Sequence, residues 1–256
     1  MLCILQITRS EYNKIKEVRS DGYSILGRTL KKYVTVVDNL SHPEEIDAII
    51  LRTFEVDAKV MDMCPNLKVI GKHGVGVNTI DLEAAKKRGI AVFNTPLANA
   101  NSVAELIVGL MLNISRNILP AHEKSKEGEF KKIAPAEMTG MEISGKTLGL
   151  IGTGNIARLV GKICVNGFGM KVIGYDPFVS REDMEKMGYE KFDSVPELIR
   201  NADVVNVSVP LTPETTNLIS GDIFECFRSG AILINAARGG IVNEDDLYEA
   251  LKERKL

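Results

Sequence analysis

The sequence predicts an α/β protein built on parallel sheets. Three observations carry that expectation. Short apolar runs alternate with longer amphipathic stretches along all 256 residues. The runs lack the polar alternation of a half-exposed strand, as strands covered on both faces do. One of them, "TLGLIG", opens into a glycine turn and then a helix-spaced segment, "TGNIARLVGKI", which is the order that a strand–turn–helix unit requires.

In chain order, strands are expected at "LCILQI", "VTVVD", "AIILR", "KVIG", "IAVF", "TLGLIG", "KVIGYD", "VVNVSV" and "AILINA". Helical spacing falls between most of them, as in "DLEAAKKRG" and "VPELIRNA". The pattern breaks near Leu97, where "NTPLANANS" leads into the longest apolar helix, "SVAELIVGLMLNISRNI". Residues 1–97 are therefore expected as one domain and 98–256 as another. Ser102 and Glu105 have capping-box spacing and are expected to mark the start of that helix. The helix is apolar on more than one face, so it should pack on its own domain and on something further. A partner subunit and a neighbouring domain both suit. Residues 121–146 are polar and punctuated by Gly and Pro, and read as a surface connection.

Composition narrows the function classes. Hydrophobic residues make up 45% and charged residues 26%, and the net charge of −2 leaves no basic excess to neutralise a phosphate backbone. Nucleic acid is not an expected partner. No apolar run is long enough to span a bilayer, and the apolar start is too short for a signal peptide. No membrane partner is expected, and a cytoplasmic location is. Cys3, Cys64, Cys164 and Cys226 are scattered, without metal or disulfide spacing. They read as small buried apolar residues.

The stretch from Thr147 to Asp176 runs strand, glycine turn, helix, strand, acid. Gly152 permits the tight turn, Gly154 lets backbone N–H groups approach a pyrophosphate, and Ala157 keeps helix and strand close. The helix N-terminus adds unpaired N–H groups and a dipole that favours an anion. Asp176 stands where an acid can accept the ribose 2′-hydroxyl, and it would repel a 2′-phosphate. The expected cofactor is NAD rather than NADP. A plain structural turn is the alternative for the glycines, and an Asp-Pro turn is the alternative for Asp176.

Two further stretches, "VSVPLTPETTNLI" and "INAARGGIVNEDDLYEAL", join this cradle. With "AIILRT", "LKVIGKHGVGVNTIDLEAAKKRGIAVFNTP" and "NSVAELIVGLML", they give a chain that resembles the NAD-dependent D-isomer-specific 2-hydroxyacid dehydrogenases. The likeness covers nearly the whole chain and is greatest to the phosphoglycerate dehydrogenase branch. The resemblance implies a flavodoxin-like substrate domain and a Rossmann-like NAD-binding domain, incomplete at the C-terminus. It implies an oxidoreductase that moves a hydride between NAD and a small D-2-hydroxy acid, with the 2-hydroxy or 2-oxo acid and a second copy of the chain as partners.

Residue roles follow from the same likeness. Arg238 would be the catalytic arginine, a guanidinium fork holding the substrate carboxylate and polarising its carbonyl, beside the cofactor. Asn155 and Ile156 would donate to the pyrophosphate, with Val209, Ala236 and Ala237 lining the nicotinamide side. Val75 and Gly76 would offer N–H groups to the substrate carboxylate, unless the loop is only a structural turn, and Asn99 could contribute at the hinge. Arg52 and Lys72 match basic positions near the substrate, where they would suit an anionic tail; ordinary solvated charges are the alternative.

The sequence also departs from the family. Relatives often carry His at Ser208 and Asp at Asn243, and His73 stands where a small residue is usual. The reaction needs a general base; in the family a histidine oriented by a glutamate, both downstream of the arginine, serves. This chain's histidines, His42, His73 and His122, all precede Arg238. His42 and His122 read as surface residues. The expectation is an N-terminal portion of a dehydrogenase that binds NAD(H) without completing turnover, with "AILINAA" an exposed apolar sheet edge. A non-catalytic NAD(H)-binding module and an inactive fragment are the alternatives.

Overall fold

The structure is a computed structural model and describes residues 2–6, 35–37, 40, 42–128, 138–253 and 255–256. The chain divides into two compact units, Met1–Ala98 and Asn99–Leu256.

In the first unit the strands are β1 (Leu2–Gln6), β2 (Thr35–Val37), β3 (Ala48–Leu51), β4 (Val69–Lys72) and β5 (Ala91–Asn94). They form one sheet in the order β2-β1-β3-β4-β5. β3, β4 and β5 are parallel. β1 instead runs antiparallel to both β2 and β3, unlike the all-parallel expectation. An unalternating apolar run signals burial on both faces and carries no signal for strand direction, which the connections decide. Among the described residues, two α-helices pack in this unit, α1 (Ala58–Met63) and α2 (Leu82–Lys87). Each starts on an aspartate: Asp57 accepts from the Val60 N–H at 2.9 Å and Asp81 from the Ala84 N–H at 2.8 Å, satisfying donors that a helix start leaves unpaired. Ile49, Leu51, Met61, Ile70 and Ala85 form the centre of the core.

The second unit holds β6 (Thr147–Ile151), β7 (Lys171–Tyr175), β8 (Glu190–Lys191), β9 (Val204–Val207) and β10 (Ile232–Asn235). Their order is β10-β9-β6-β7-β8, and every pairing is parallel. β8 consists of two charged residues beside β7, so no apolar run announces it. The helices are α3 (Ala100–Ser115), α4 (Ile118–Lys126), α5 (Asn155–Phe168), α6 (Arg181–Lys186), α7 (Val195–Asn201) and α8 (Glu244–Lys252). α3 and α5 cover one sheet face, burying Ile107, Met111, Leu148, Leu150 and Val160. α7 and the short 3₁₀ helix Gly221–Cys226 pack on the other, over Val205 and Val207.

Two local expectations are corrected. α3 starts at Ala100, with Asn99 as its N-cap and the Val103 N–H donating to the Asn99 carbonyl at 3.0 Å. Ser102 and Glu105 are exposed one turn inside the helix. Their spacing recurs within any helix, and buried Ala100 fixes the first turn instead. Residues 118–126, partly assigned to a surface connection, form α4. Its Lys, Glu and Ala residues favour helix without an apolar stripe. Asn117, in the left-handed region at φ 51°, and a 2.9 Å bond from the Leu119 N–H to Asn113 Oδ1 turn the chain from α3 into α4.

β10 lies at the sheet edge, as the apolar-edge expectation has it, but α3 packs on it and Ile232 and Ile234 are buried. An apolar groove beside it is lined by Ile114, Leu233, Leu247, Leu251 and Leu256. Cys64, Cys164 and Cys226 are buried free thiols, and burial pushes Cys164 up to about 11; Cys3 lies in β1, where only the backbone is described. Among the described residues no single helix is long and apolar enough to cross a membrane; α3 and α4 reach that composition only as a pair bent by 64°.

Candidate active site

The glycine turn joins β6 to α5 and is tied on both sides. The Gly152 N–H donates to the Tyr175 carbonyl at the end of β7, and the Ser208 N–H, just past β9, donates to the Ile151 carbonyl, each at 2.8 Å. Gly152 has φ +84°, and a Cβ there would stand 2.7 Å from the Ser208 carbonyl oxygen and 2.8 Å from Val209 Cγ1. Only glycine meets both demands. Gly154 differs. As the N-cap of α5 it has ordinary dihedrals, and a Cβ would meet no protein atom within 4 Å. The space above it is open, so its missing side chain serves access rather than packing. Ala157 is fully buried, drawing α5 onto the sheet. α5, a helix of 14 residues, thus begins at an open, backbone-lined concavity, suited to a phosphate anion. Asn155 is exposed and Ile156 half-buried at this mouth.

Asp176, half-buried at the end of β7, is held in place before any ligand arrives. Its Oδ2 accepts from the Thr153 N–H at 2.9 Å and the Thr153 hydroxyl at 3.1 Å, and its Oδ1 accepts from the Phe178 N–H at 3.0 Å. An ionised carboxylate has about four acceptor sites, so Oδ1 keeps capacity for a further donor such as a sugar hydroxyl. Thr153 is fully buried, and its carbonyl accepts from Arg158 Nε at 2.8 Å. Neither Thr153 nor Arg158 is among the residues that the sequence pattern points to. The variable position between two motif glycines gives little hint that its side chain reaches across to the acid.

Arg238 lies beyond β10, on the same C-terminal side of the sheet, and is exposed. Asn235 builds its turn: Asn235 Nδ2 donates to the Arg238 carbonyl at 2.8 Å and Oδ1 accepts from the Ala237 N–H at 3.1 Å. The guanidinium donates from Nη1 to the Ala237 carbonyl at 2.7 Å, leaving the rest of the fork for a ligand. The only sequence signal for this role of Asn235 is that Asn is a common turn-former. Val209, Ala236 and Ala237 are half-buried. Asn243, where relatives often have Asp, caps α8 by accepting from the Asp246 N–H at 3.0 Å; either residue type performs that job.

In the first unit, the loop after β4 carries His73, Gly74, Val75 and Gly76. It is pinned to the end of β5: the Gly74 N–H donates to Thr95 Oγ1 at 2.9 Å, and Asn94 Nδ2 donates to the Val75 carbonyl at 2.7 Å. The Val75 and Gly76 N–H groups bond to no other described residue in the structure. Lys72 does not stand as a solvated cation. It is 7% exposed, and its ammonium donates to the Arg52 carbonyl and, at 2.9 Å, to Thr79 Oγ1. A backbone carbonyl and a hydroxyl replace the water it loses, so its visible work is to hold the exposed Arg52 in place. Asn99 is exposed at the start of α3 and makes no side-chain cap bond. His42 lies 3.7 Å from Glu44 and His122 4.0 Å from Glu123, both on the surface; His73 is half-buried.

The chain is similar to several known proteins. Residues 108–256 match the profile of the D-isomer specific 2-hydroxyacid dehydrogenase, NAD binding domain. The chain is 43% identical over 224 residues to the D-3-phosphoglycerate dehydrogenase of Methanocaldococcus jannaschii, a match covering 87% of this chain and 42% of that protein. It is 40% identical to the hydroxypyruvate reductase of Thermotoga maritima, covering 83% of this chain and 67% of that one. The Aquifex aeolicus D-lactate dehydrogenase, solved as a complex with NAD and lactic acid, superposes with a TM-score of 0.75 at 32% identity, over 86% of this chain and 65% of that one. The chain spans about two fifths of the length of the phosphoglycerate dehydrogenases it matches. With the family's NAD-binding domain matched over more than half its residues, this chain belongs to the D-isomer-specific 2-hydroxyacid dehydrogenase family.

Proposed function

We propose that Asn99–Leu256 binds NAD(H) across the ends of β6, β7 and β9, and that the chain serves hydride transfer on a small D-2-hydroxy acid or its 2-oxo counterpart. The observation that carries this reading is the turn from Gly152 to Asn155, open above Gly154 and braced through Thr153 to Asp176. Gly152, Gly154, Asn155 and Ile156 would hold the pyrophosphate and Asp176 the ribose hydroxyls. Val209, Ala236, Ala237 and Arg238 would face the nicotinamide half. NAD supplies the hydride acceptor, or NADH the donor. The chain's own contribution is electrostatic: Arg238 would grip a carboxylate and stabilise the oxygen that gains charge as the carbonyl is reduced.

The substrate side belongs to Met1–Ala98. There the Val75 and Gly76 N–H groups would receive a carboxylate; Asn99, at the start of α3 in the second unit, is a further proposed substrate contact. Arg52, held by Lys72, would take an anionic tail such as a phosphate, which supports a phosphoglycerate-like acid. Arg52→Ala should weaken 3-phosphoglycerate binding in calorimetry and leave lactate unchanged; equal losses would return Arg52 to the role of surface charge. A homodimer is proposed from the exposed apolar residues Leu106, Ile114, Ile118 and Leu119, with light scattering as the test; a monomer would refute it.

The second reading, an NAD(H)-binding module without turnover, is favoured by the histidines. His42 and His122 are on the surface, which leaves His73 as the remaining candidate base. NADH oxidation by this chain across a panel of 2-oxo acids separates the readings. No turnover is expected of these 256 residues; robust activity would assign the proton transfer to His73.

A further inference from the structure

β9 reads Val204-Val205-Asn206-Val207, and all four residues are buried. Asn206 is fully buried between Leu150 of β6 and Ile234 of β10, on the sheet face that α3 and α5 cover. A primary amide is an expensive group to place among such neighbours unless it is hydrogen-bonded. It has one bond among the described residues: Nδ2 donates to Ser208 Oγ at 2.9 Å, and Oδ1 has no partner there. The amide stands this way round for a reason. Reversed, it would accept from the Ser208 hydroxyl and leave both N–H donors unpaired, whereas this orientation leaves one N–H and the carbonyl oxygen, and an orphaned carbonyl is the more readily tolerated of the two.

Residues two apart on a strand share a face, so Asn206 reaches directly to Ser208. Ser208 is half-buried at the C-terminal end of β9, where its N–H holds the end of β6 and its carbonyl crowds Gly152. By donating to Ser208 Oγ, Asn206 fills an acceptor site of the hydroxyl and leaves its hydrogen free to be given elsewhere. The position also has a side. Asp176 ends β7 on one flank of β6, whereas Ser208 follows β9 on the other. The sheet order reverses between those flanks, the place where a dinucleotide lies across such a sheet.

We propose that Ser208 is a cofactor-binding residue, donating its hydroxyl to an oxygen on the nicotinamide-side half of NAD(H), and that Asn206 is the positioning residue that orients it. This rests on the cofactor reading above. It concerns a position where this chain differs from the histidine common in its relatives, so the family's pattern does not supply it.

The test is titration of the whole chain with NADH, followed by the cofactor's own emission because the chain has no tryptophan. AMP, measured by calorimetry, probes the adenosine half alone. Ser208→Ala should raise the NADH Kd by roughly three- to tenfold, the worth of one net hydrogen bond, with the AMP Kd unchanged. Ser208→Thr, which keeps the hydroxyl, should restore NADH binding. Asn206→Ala should weaken NADH binding less than Ser208→Ala, and adding it to Ser208→Ala should bring no further loss. An unchanged NADH Kd in Ser208→Ala, a parallel loss of AMP, or a threonine variant as weak as the alanine would overturn the proposal. Failure of the wild type to bind NADH would instead refute the cofactor reading itself.

Discussion

Gly152 and Gly154 belong to one motif, yet alanine at each should fail differently. At Gly152, an alanine would have to hold φ +84°, which costs an L-residue about 1–2 kcal/mol. Its methyl would also lie 2.7 Å from the Ser208 carbonyl oxygen and 2.8 Å from Val209 Cγ1. Relieving such an overlap against backbone costs about 1–3 kcal/mol more. A loss of about 2–5 kcal/mol lowers the melting point of a unit this size by roughly 5–15 °C. At Gly154 the dihedrals suit alanine and no protein atom lies within 4 Å. Gly154→Ala should therefore melt within about 3 °C of wild type, since removing glycine flexibility adds at most about 1 kcal/mol. Its methyl would stand where backbone must approach the pyrophosphate. Loss of one charge-assisted contact there should weaken NADH by roughly tenfold or more. Circular dichroism melts and NADH titrations of both variants supply the data. A Gly152→Ala protein as stable as wild type, or a Gly154→Ala protein with unaltered NADH affinity, would refute the division of labour.

NADPH should bind at least about fivefold more weakly than NADH, because charges a few ångströms apart near a surface interact by about 1–4 kcal/mol; Asp176→Asn should narrow that gap, and a wild type preferring NADPH would remove Asp176 from the ribose. Arg238→Ala should change NADH affinity by no more than about twofold, as for an exposed side chain outside the cofactor's main contacts; a larger loss in titration would make Arg238 chiefly a cofactor ligand. Cys164 should make the fold alkali-sensitive. Its folded value of about 11 lies above the usual 9, so its stabilising share is complete below pH 9 and falls away as pH rises towards 11. Cys164→Ala should flatten the stability decline in that window, and an unchanged decline would mean other groups cause it.

The strands were legible because each is an apolar run closed by a polar or glycine signal: "TLGLIG" became β6, "KVIGYD" β7 and "AILINA" β10. β8 was not, since Glu190 and Lys191 pair at an edge through backbone alone. Strand direction at β1 was invisible for a similar reason: hydrophobic pattern reports burial and says nothing of polarity. The cradle glycines and Asp176 were readable from spacing, because the turn and its acid are close in sequence. The bracing was not. Thr153 meets Asp176 across 23 positions, and Lys72 finds the Arg52 carbonyl across 20, contacts that only the folded sheet brings together. Lys72 is the clearest case: expected at a basic position near the substrate, with a solvated charge as the alternative, it is buried with its ammonium on the Arg52 carbonyl and the Thr79 hydroxyl.

The most direct measurement is an NADH titration of the 256-residue chain, read by enhancement of NADH emission and reversed by AMP. The account predicts saturable binding at one site, displaced by AMP and weakened by Gly154→Ala while the fold persists. An unchanged emission up to millimolar NADH, from a chain that melts cooperatively, would contradict it.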